Sequence, residues 1–389
     1  MKIAIWGSYK GAEGNIGDEA ILSGVLSALR TAQQPAQVSV FSINPKGVTE
    51  LHHVDAVRPL PYGLRSCLAS MRSGNFRDTL RVIQRCDILI IGGGQVLVEP
   101  ISSGIPWTLG CFVLASVARI YRKKIMLYGV GIGQLKNPLG RVLVRKIVES
   151  CKAVTVRDQA SATRLKEIGI LGTLIKVTAD PVFCLRPSSN LETDAKADDQ
   201  IRVGLSLREW WHRPDMWPNL TMSERIRKQK EFLDHIEEVC LFLHDQIGAS
   251  YVGLPFYGPQ DLPVLKEMKF RLGNKLQVIE DKLAPIDVLN RVGETQALIG
   301  MRLHSLIFAA INLKPMIALS YQEKTTAFMD EIGLPQLCHD VDNHDIESLK
   351  RKISYMWDCR ASITQALGER IAILRAKERE NLNTFLSLI

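Results

Sequence analysis

Short apolar runs of strand length alternate with helix-length segments along nearly the whole chain, and this alternation limits the available folds more than any other feature. Lys2–Trp6, Gln37–Ser42, Asp87–Ile91, Lys124–Gly129, Ala153–Val156 and Ile175–Thr178 read as strands. A parallel pair needs a long crossover and a helix supplies it, so the pattern predicts a parallel sheet. After the first strand, Ile21, Leu22, Val25, Leu26 and Leu29 fall at i, i+3, i+4 spacing, the stripe of a helix packed on a sheet. Residues 186–200 turn to Pro, Ser, Asn, Asp and Lys, the composition of a linker. A second series follows: Ile201–Leu207, a helix over 230–246, Ser250–Pro255, a helix after Pro263, Leu276–Ile279, Ala297–Gly300, a helix through His304–Ala310, and Pro315–Ser320. The end of the chain is helical, with Ile363, Leu367, Ile371 and Leu374 in register. The expectation is an α/β chain with a first domain over 1–187, a linker over 188–200, a second domain over 201–360 and a terminal helix over 361–389. Two doubly wound, Rossmann-like sheets facing each other across a cleft would bind ligands beyond their strand C-terminal ends.

Bulk properties fit that outline. With 389 residues, 46% of them hydrophobic, each domain can bury a core. The net charge of +8 is spread along the chain, which fits anionic small substrates or an anionic membrane surface. No nucleic-acid motif accompanies it. Eight cysteines lie scattered without a C-x-x-C pair, against a zinc site or a disulfide framework, and a reducing cytoplasm is expected. The first apolar run ends at Gly7, too short for a signal peptide, and no window approaches the length of about 18 apolar residues needed to span a bilayer.

Strand ends carry the chemistry in such folds. GSYKGAEGNIGDEA (7–20) follows the first strand, and its glycines suggest a phosphate cradle. The spacing of Gly7, Gly11 and Gly14 does not give G-x-G-x-x-G, and no G-K-[ST] follows, so dinucleotide and P-loop readings are weak. Asp18 and Glu19 stand where the anion would go. For Glu19 the preferred reading is a first-turn carboxylate offsetting the helix macrodipole, worth about 0.3–1 kcal/mol. Gly92, Gly93 and Gly94 follow a buried strand, either to let backbone approach a ligand or to make a tight turn. YGVGIG (128–133) repeats the arrangement and favours a cleft floor.

In the second domain IRVGLSLREWWHRPDMWP (201–218) ends a strand in Arg208 beside Trp210, Trp211 and Trp217. Arginine forks bind carboxylate or phosphate and indole faces stack on sugars, although the tryptophans equally fit a satellite core or a membrane contact. ALIGMRLHSLIFAAINLKPMIALSY (297–321) runs from a strand through Gly300 into Arg302 and His304 and then into a helix apolar almost all round. Such groups at the start of a buried helix are costly without partners, which points to an anion site. Lys324 offers a second cation.

Assembled, NIGDEAI after a Gly-rich turn, IIGGGQ after a buried strand, VTVRDQAS (154–161), ADPVF (179–183), VGLSLRE (203–209) and GMRLHSLIFAA followed by PMIALSY-x-x-K resemble the polysaccharide pyruvyl transferase family. The motifs run from residue 15 to residue 324; each is short, and the specificity lies in their order and spacing. The resemblance implies a two-domain GT-B-like fold with no metal and no cofactor. It implies phosphoenolpyruvate as co-substrate, its pyruvate passing to two hydroxyls of a sugar as a cyclic ketal while phosphate leaves. Arg302 and His304 are implied at the donor site, with Arg208 as a second donor arginine and Lys324 beside them. His304 is the expected proton donor to the methylene carbon, and Asp18 in the first domain the expected base toward a sugar hydroxyl. Asn15, Gly93 and Gly94, together with Trp210 and Trp211, are the expected acceptor contacts. The first domain then takes the acceptor, a sugar of a surface polysaccharide or its lipid-linked precursor, and the second takes phosphoenolpyruvate.

The stretch YGLRSCLASMRSGNFRDTLRVIQR (62–85) holds Arg65, Arg72, Arg77, Arg81 and Arg85 against Asp78. It suits an anionic membrane surface, although a solvated helix face is the commoner explanation. The expected location is cytoplasmic, with peripheral contact at the inner face of the membrane. Two other readings stay open: a glycosyltransferase of the same fold using a nucleotide sugar, with Glu323 on the ribose, and a non-catalytic anion- or nucleic-acid-binding protein, for which only the basic balance speaks.

Overall fold

The computed structural model describes residues 1–32, 35–61, 75–92, 94–98, 106–188, 200–211, 214, 217–343 and 345–389. The chain divides into two compact units, Met1–Leu185 with Leu374–Ile389, and Arg186–Ile373. Among the described residues the first unit holds β1 (Lys2–Trp6), β2 (Gln37–Phe41), β3 (Asp55–Val57), β4 (Ile88–Gly92), β5 (Lys124–Val130), β6 (Ala153–Val156) and β7 (Ile175–Val177). They form one sheet in the order β3-β2-β1-β4-β5-β6-β7, every pair parallel. The second unit holds β8 (Arg202–Ser206), β9 (Ser250–Gly253), β10 (Leu276–Val278), β11 (Ala297–Gly300), β12 (Met316–Ser320) and β13 (Cys338–Asp340). Their order is β10-β9-β8-β11-β12-β13, again all parallel.

Side chains alternate faces along a strand, and in β4 Ile88 and Ile90 enter one core while Leu89 and Ile91 enter the other. A strand covered on both faces reads as an unbroken apolar run, which is why the segments at β4 and β5 lack polar alternation. One core takes Leu22, Val25, Leu26 and Leu29 from the helix Ile16–Thr31, the stripe expected from spacing, together with Phe385 near the end of the chain. The opposite core takes Cys111, Leu114 and Ala118 from the helix Pro106–Ile120, and Val144, Ile147 and Val148 from Pro138–Ser150.

Differences from the sequence reading have local causes. The edge strands β3 and β13 are three residues long and partly polar, too short for a periodic signal. The helix expected over 230–246 runs Met222–Ile247, because its polar first turns carry no apolar stripe yet are closed by a Thr221–Glu224 capping box. The helix expected after Pro263 begins at Gly258 with Pro263 inside it. The terminal helix spans Arg360–Leu386, and its residues from Leu374 onward belong with the first unit rather than standing apart. Most of the expected linker, residues 189–199, lies outside the described residues, as do Arg65 and Arg72 of the basic stretch. Arg77, Arg81 and Arg85 are exposed on the helix Asn75–Arg85. No helix among the described residues is long and apolar enough to cross a membrane.

Candidate functional site

In the second unit the chain leaves β8 for β9 and β10 on one side and returns to β11 on the other, so the strand order reverses between β8 and β11. Doubly wound sheets bind ligands in the crevice beyond the strand ends at such a reversal. Arg208 follows β8 by two residues and Arg302 follows β11 by two, and the Met301 N–H donates to the Ser206 carbonyl at 2.8 Å, tying the two strand ends.

Gln260 joins the arginines. Its Oε1 accepts from Arg208 Nη2 at 2.8 Å and from Arg302 Nη2 at 3.1 Å. Arginine only donates, so both bonds require the amide oxygen. Asp261 is fully buried and accepts from Arg302 Nε at 3.1 and 3.2 Å and from Arg302 Nη2, as well as from the backbone N–H groups of Phe256 and Tyr257 at 2.9 and 2.8 Å. A two-toothed arginine–carboxylate pair fixes direction as well as charge. Arg302, 8% exposed, is held by it at the cap of the buried helix Leu303–Ile311. His304 sits half-buried in the first turn of that helix.

Arg208 Nη1 donates to Tyr321 Oη at 2.9 Å, with the guanidinium 5.1 Å from the Tyr321 ring centre and 5.7 Å from that of Trp210. Burial lowers the Arg208 pKa, and the neighbouring Arg302 charge adds to that. Burial alone would raise the Tyr321 phenol, but the charges of Lys324, Arg208 and Arg302 outweigh it and hold its pKa below the ordinary value. The charges that act on Tyr321, those of Lys324, Arg208 and Arg302, are all cationic, which favours an anionic ligand at this end of the crevice. Of the residues expected at the donor site, Arg208 and Arg302 meet at Gln260, the charge of Lys324 acts on the neighbouring Tyr321, and His304 follows Arg302 by two residues.

Trp210 and Trp211 do not fit their expected role. They are 4% and 1% exposed; Trp210 packs on Tyr321 and Trp217 at 4.4 and 5.7 Å, and Trp211 on Phe232 at 5.3 Å. Neither offers an open ring face to a sugar, and Trp210 instead backs the arginine cluster.

In the first unit the reversal lies between β1 and β4. The glycine loop after β1 is a braced turn. Tyr9, 1% exposed, donates through its hydroxyl to the Gly92 carbonyl at 2.8 Å, and Ser42 Oγ donates to the Tyr9 carbonyl at 2.8 Å. Glu19 overturns the macrodipole reading: it is fully buried, accepts from the Lys10 and Gly11 N–H groups at 2.6 and 3.1 Å, and pairs with His52 Nε2 at 2.8 Å. It holds the loop's shape. Asn15 caps the following helix, its Oδ1 accepting from the Gly17 N–H at 2.9 Å.

Asp18 is half-buried beside Gly94, whose φ of +64° is the left-handed region; a Cβ there would lie 3.0 Å from Asp18 Oδ1. Gly93 lies outside the described residues. The Gly131 N–H donates to the Gly94 carbonyl at 3.0 Å, and a Cβ on Gly131 would meet Arg157 Nε at 2.8 Å. Arg157, 7% exposed, donates to Asp180 at 2.8 Å and Asp158 at 3.4 Å. Burial opposes its charge, but those carboxylates prevail and raise its pKa. Asp18, Gly94, Gly131 and Arg157 thus lie along the ends of four strands, with the Arg157 charge offset by Asp158 and Asp180.

Sequence reasoning missed Gln260, Asp261, Tyr321 and Arg157 as site residues. Arg157 and Asp180 stand in VTVRDQAS and ADPVF, so motif membership was an available signal. Gln260 and Asp261 were hidden by the helix start placed too late at Pro263.

The model of one family, polysaccharide pyruvyl transferase, matches residues 15–323. Amylovoran biosynthesis protein AmsJ of Erwinia amylovora is 20% identical over 433 residues, covering 98% of this chain and 97% of the relative. Among solved structures, UDP-GlcNAc 2-epimerase from Neisseria meningitidis bound to UDP-GlcNAc matches with a TM-score of 0.65 at 11% identity over the full length of both chains. HepE of Anabaena in complex with UDP and glucose matches with a TM-score of 0.60 at 15% identity, also over both full lengths. At those identities the structural likeness is one of fold, the two-domain GT-B type. The family match extends from the braced loop of the first unit to the arginine cluster of the second, and with it the chain is a member of the polysaccharide pyruvyl transferase family.

Proposed function

We propose that the protein transfers the pyruvyl group of phosphoenolpyruvate to two hydroxyls of a sugar in a surface polysaccharide or its lipid-linked precursor, closing a cyclic ketal and releasing phosphate. One observation carries the reading: Arg208 and Arg302, from strand ends on either side of the reversal, donate to the same Gln260 oxygen. Two guanidinium forks that close together match a small ligand whose carboxylate and phosphate share one carbon atom. Lys324 adds charge toward the phosphate, and no cofactor is needed for the chemistry. The methylene carbon takes a proton, His304 being the donor assigned here, and the adjacent carbon, gaining oxocarbenium character, takes the sugar oxygens. Asp18 removes a hydroxyl proton, and the strand-end loops beside it in the first unit bind the acceptor. The protein works in the cytoplasm, where phosphoenolpyruvate is made, with its acceptor at the inner face of the membrane.

A nucleotide-sugar glycosyltransferase is the second reading, since the structural relatives were solved with UDP-GlcNAc or with UDP and glucose. Glu323, exposed at the first turn of the helix Glu323–Glu331, would then hold a ribose. Titration calorimetry separates the two. Phosphoenolpyruvate should bind the wild type, and Arg302→Ala or Arg208→Ala should each weaken it about 10- to 100-fold, the loss of one charged hydrogen-bonding group. Tight UDP binding with no response to phosphoenolpyruvate would favour the glycosyltransferase.

A further inference from the structure

Ketal formation moves two protons, and His304 accounts for the delivery of one. Phosphoenolpyruvate and two hydroxyls give a ketal bearing a new methyl group, together with hydrogen phosphate. Two C–O bonds form at the central carbon, and the C–O bond to phosphate breaks with its electron pair leaving on the phosphate oxygen. The two hydroxyl protons end one on the methylene carbon and one on phosphate. No oxidant or reductant takes part. With His304 serving the carbon, a second group has to serve the phosphate.

We propose that Tyr321 is that group: its phenol protonates the departing phosphate, and the phenolate so formed recovers a proton from the second sugar hydroxyl. The proposal rests on the reading of this crevice as the phosphoenolpyruvate site. Tyr321 directly follows β12, the neighbour of β11, and so stands beside the strand end that carries Arg302. Its oxygen accepts from Arg208 at 2.9 Å. Because arginine has no lone pair to offer, that bond occupies an acceptor position on the phenol and leaves the phenolic proton for another partner. The ring is fixed between the Arg208 guanidinium at 5.1 Å and Trp210 at 4.4 Å, so the oxygen keeps its place while the proton moves.

The charged groups around the phenol come from four elements. Arg208 extends from the end of β8, Arg302 from the end of β11, and Lys324 from the first turn of Tyr321's own following helix, while Asp261 neutralises Arg302 from the helix Gly258–Leu272. The positive surplus favours the phenolate over its usual balance. A phosphate held by Arg208 would sit against the same oxygen, which accepts from that guanidinium, with the Lys324 charge acting there as well.

The test compares wild type with Tyr321→Phe, which keeps the ring contacts and deletes the hydroxyl. The expected outcome is a fall in kcat of about 100-fold or more with KM for phosphoenolpyruvate within about threefold, the mark of a lost proton transfer and not of a lost binding contact. The wild-type kcat should fall on an alkaline limb below the pH at which an ordinary tyrosine ionises, and that limb should be missing from the variant. Fluorotyrosine placed at 321 should move the limb to lower pH, a readout that holds even if the phenylalanine variant folds poorly. An active wild type with an unaffected kcat in Tyr321→Phe, or a loss confined to KM, overturns the assignment. A wild type that makes no ketal from phosphoenolpyruvate overturns the donor-site reading itself and the assignment with it.

Discussion

Asp261 has no contact with solvent, and its carboxylate serves Arg302 and two backbone N–H groups at once. Removing one partner of a buried pair strands the other, which costs about 3–5 kcal/mol. Asp261→Ala should therefore lower unfolding free energy by that amount in urea titrations, while Gln260→Ala, which leaves Arg302 its carboxylate and Arg208 its bond to Tyr321, should lower it by less, about 1.5–3 kcal/mol. Equal small losses in the two variants would contradict the role given to Asp261. A second residue carries a pH signature. Glu378 is 4% exposed, and burial, with the Asp180 charge adding, pushes its carboxyl up to about 7 from 4.5. The folded state then holds a proton between those values that the unfolded state has released, so this group's contribution falls as pH rises from about 4.5 through 7. Glu378→Gln should stabilise the protein at pH 8 relative to wild type by about 3 kcal/mol more than at pH 4.5. A difference independent of pH would contradict it. The placement of Arg208 and Arg302 at neighbouring strand ends was legible from sequence because charge directly after a buried strand is conspicuous. Gln260, Asp261 and Tyr321 were not, since their partners lie 52, 41 and 113 positions away along the chain.

At the scale of elements, both candidate sites occupy the loops beyond the point where strand order reverses, and the loops differ in how they are held. The loop after β1 is braced internally by Glu19, Tyr9 and Ser42. The β4 loop turns through Gly94 in a left-handed conformation that an L side chain adopts at a cost of roughly 1–2 kcal/mol. Gly94→Ala should lower the thermal midpoint of the protein and weaken acceptor binding through the crowded Asp18, yet leave phosphoenolpyruvate affinity unchanged in calorimetry. A variant that loses donor affinity instead would misplace the acceptor loops. The alternation of strands and helices was legible because burial on both sheet faces makes each strand an apolar block. The first turn of the helix Gly258–Leu272 was not, because Pro263 resembles a helix start and Pro259 was already serving as one. That misplacement by a single turn concealed the two residues that hold the arginines.

At the scale of the whole molecule, the last helix belongs to both units by sequence: it begins in the second, and from Leu374 it completes the first. Phe385 is fully buried in the first unit's core, and Asn381 bonds Thr178 Oγ1 at 2.7 Å and the Ala179 carbonyl at 3.1 Å. Deleting residues 374–389 should lower the thermal stability of the first unit sharply; a truncated chain with unchanged melting would show that the helix end is dispensable. The stripe Ile363, Leu367, Ile371 and Leu374 announced a helix in sequence, but no stripe says which core receives it. The proposed transfer places phosphoenolpyruvate at the arginine cluster of the second unit and the sugar hydroxyls at the Asp18 loop of the first. Purified protein incubated with phosphoenolpyruvate and an oligosaccharide acceptor, followed by phosphate assay and proton NMR, should release one phosphate for each new ketal methyl signal, and Arg302→Ala should abolish both. Phosphate release without a ketal methyl, or turnover of a UDP-sugar in place of phosphoenolpyruvate, would contradict it.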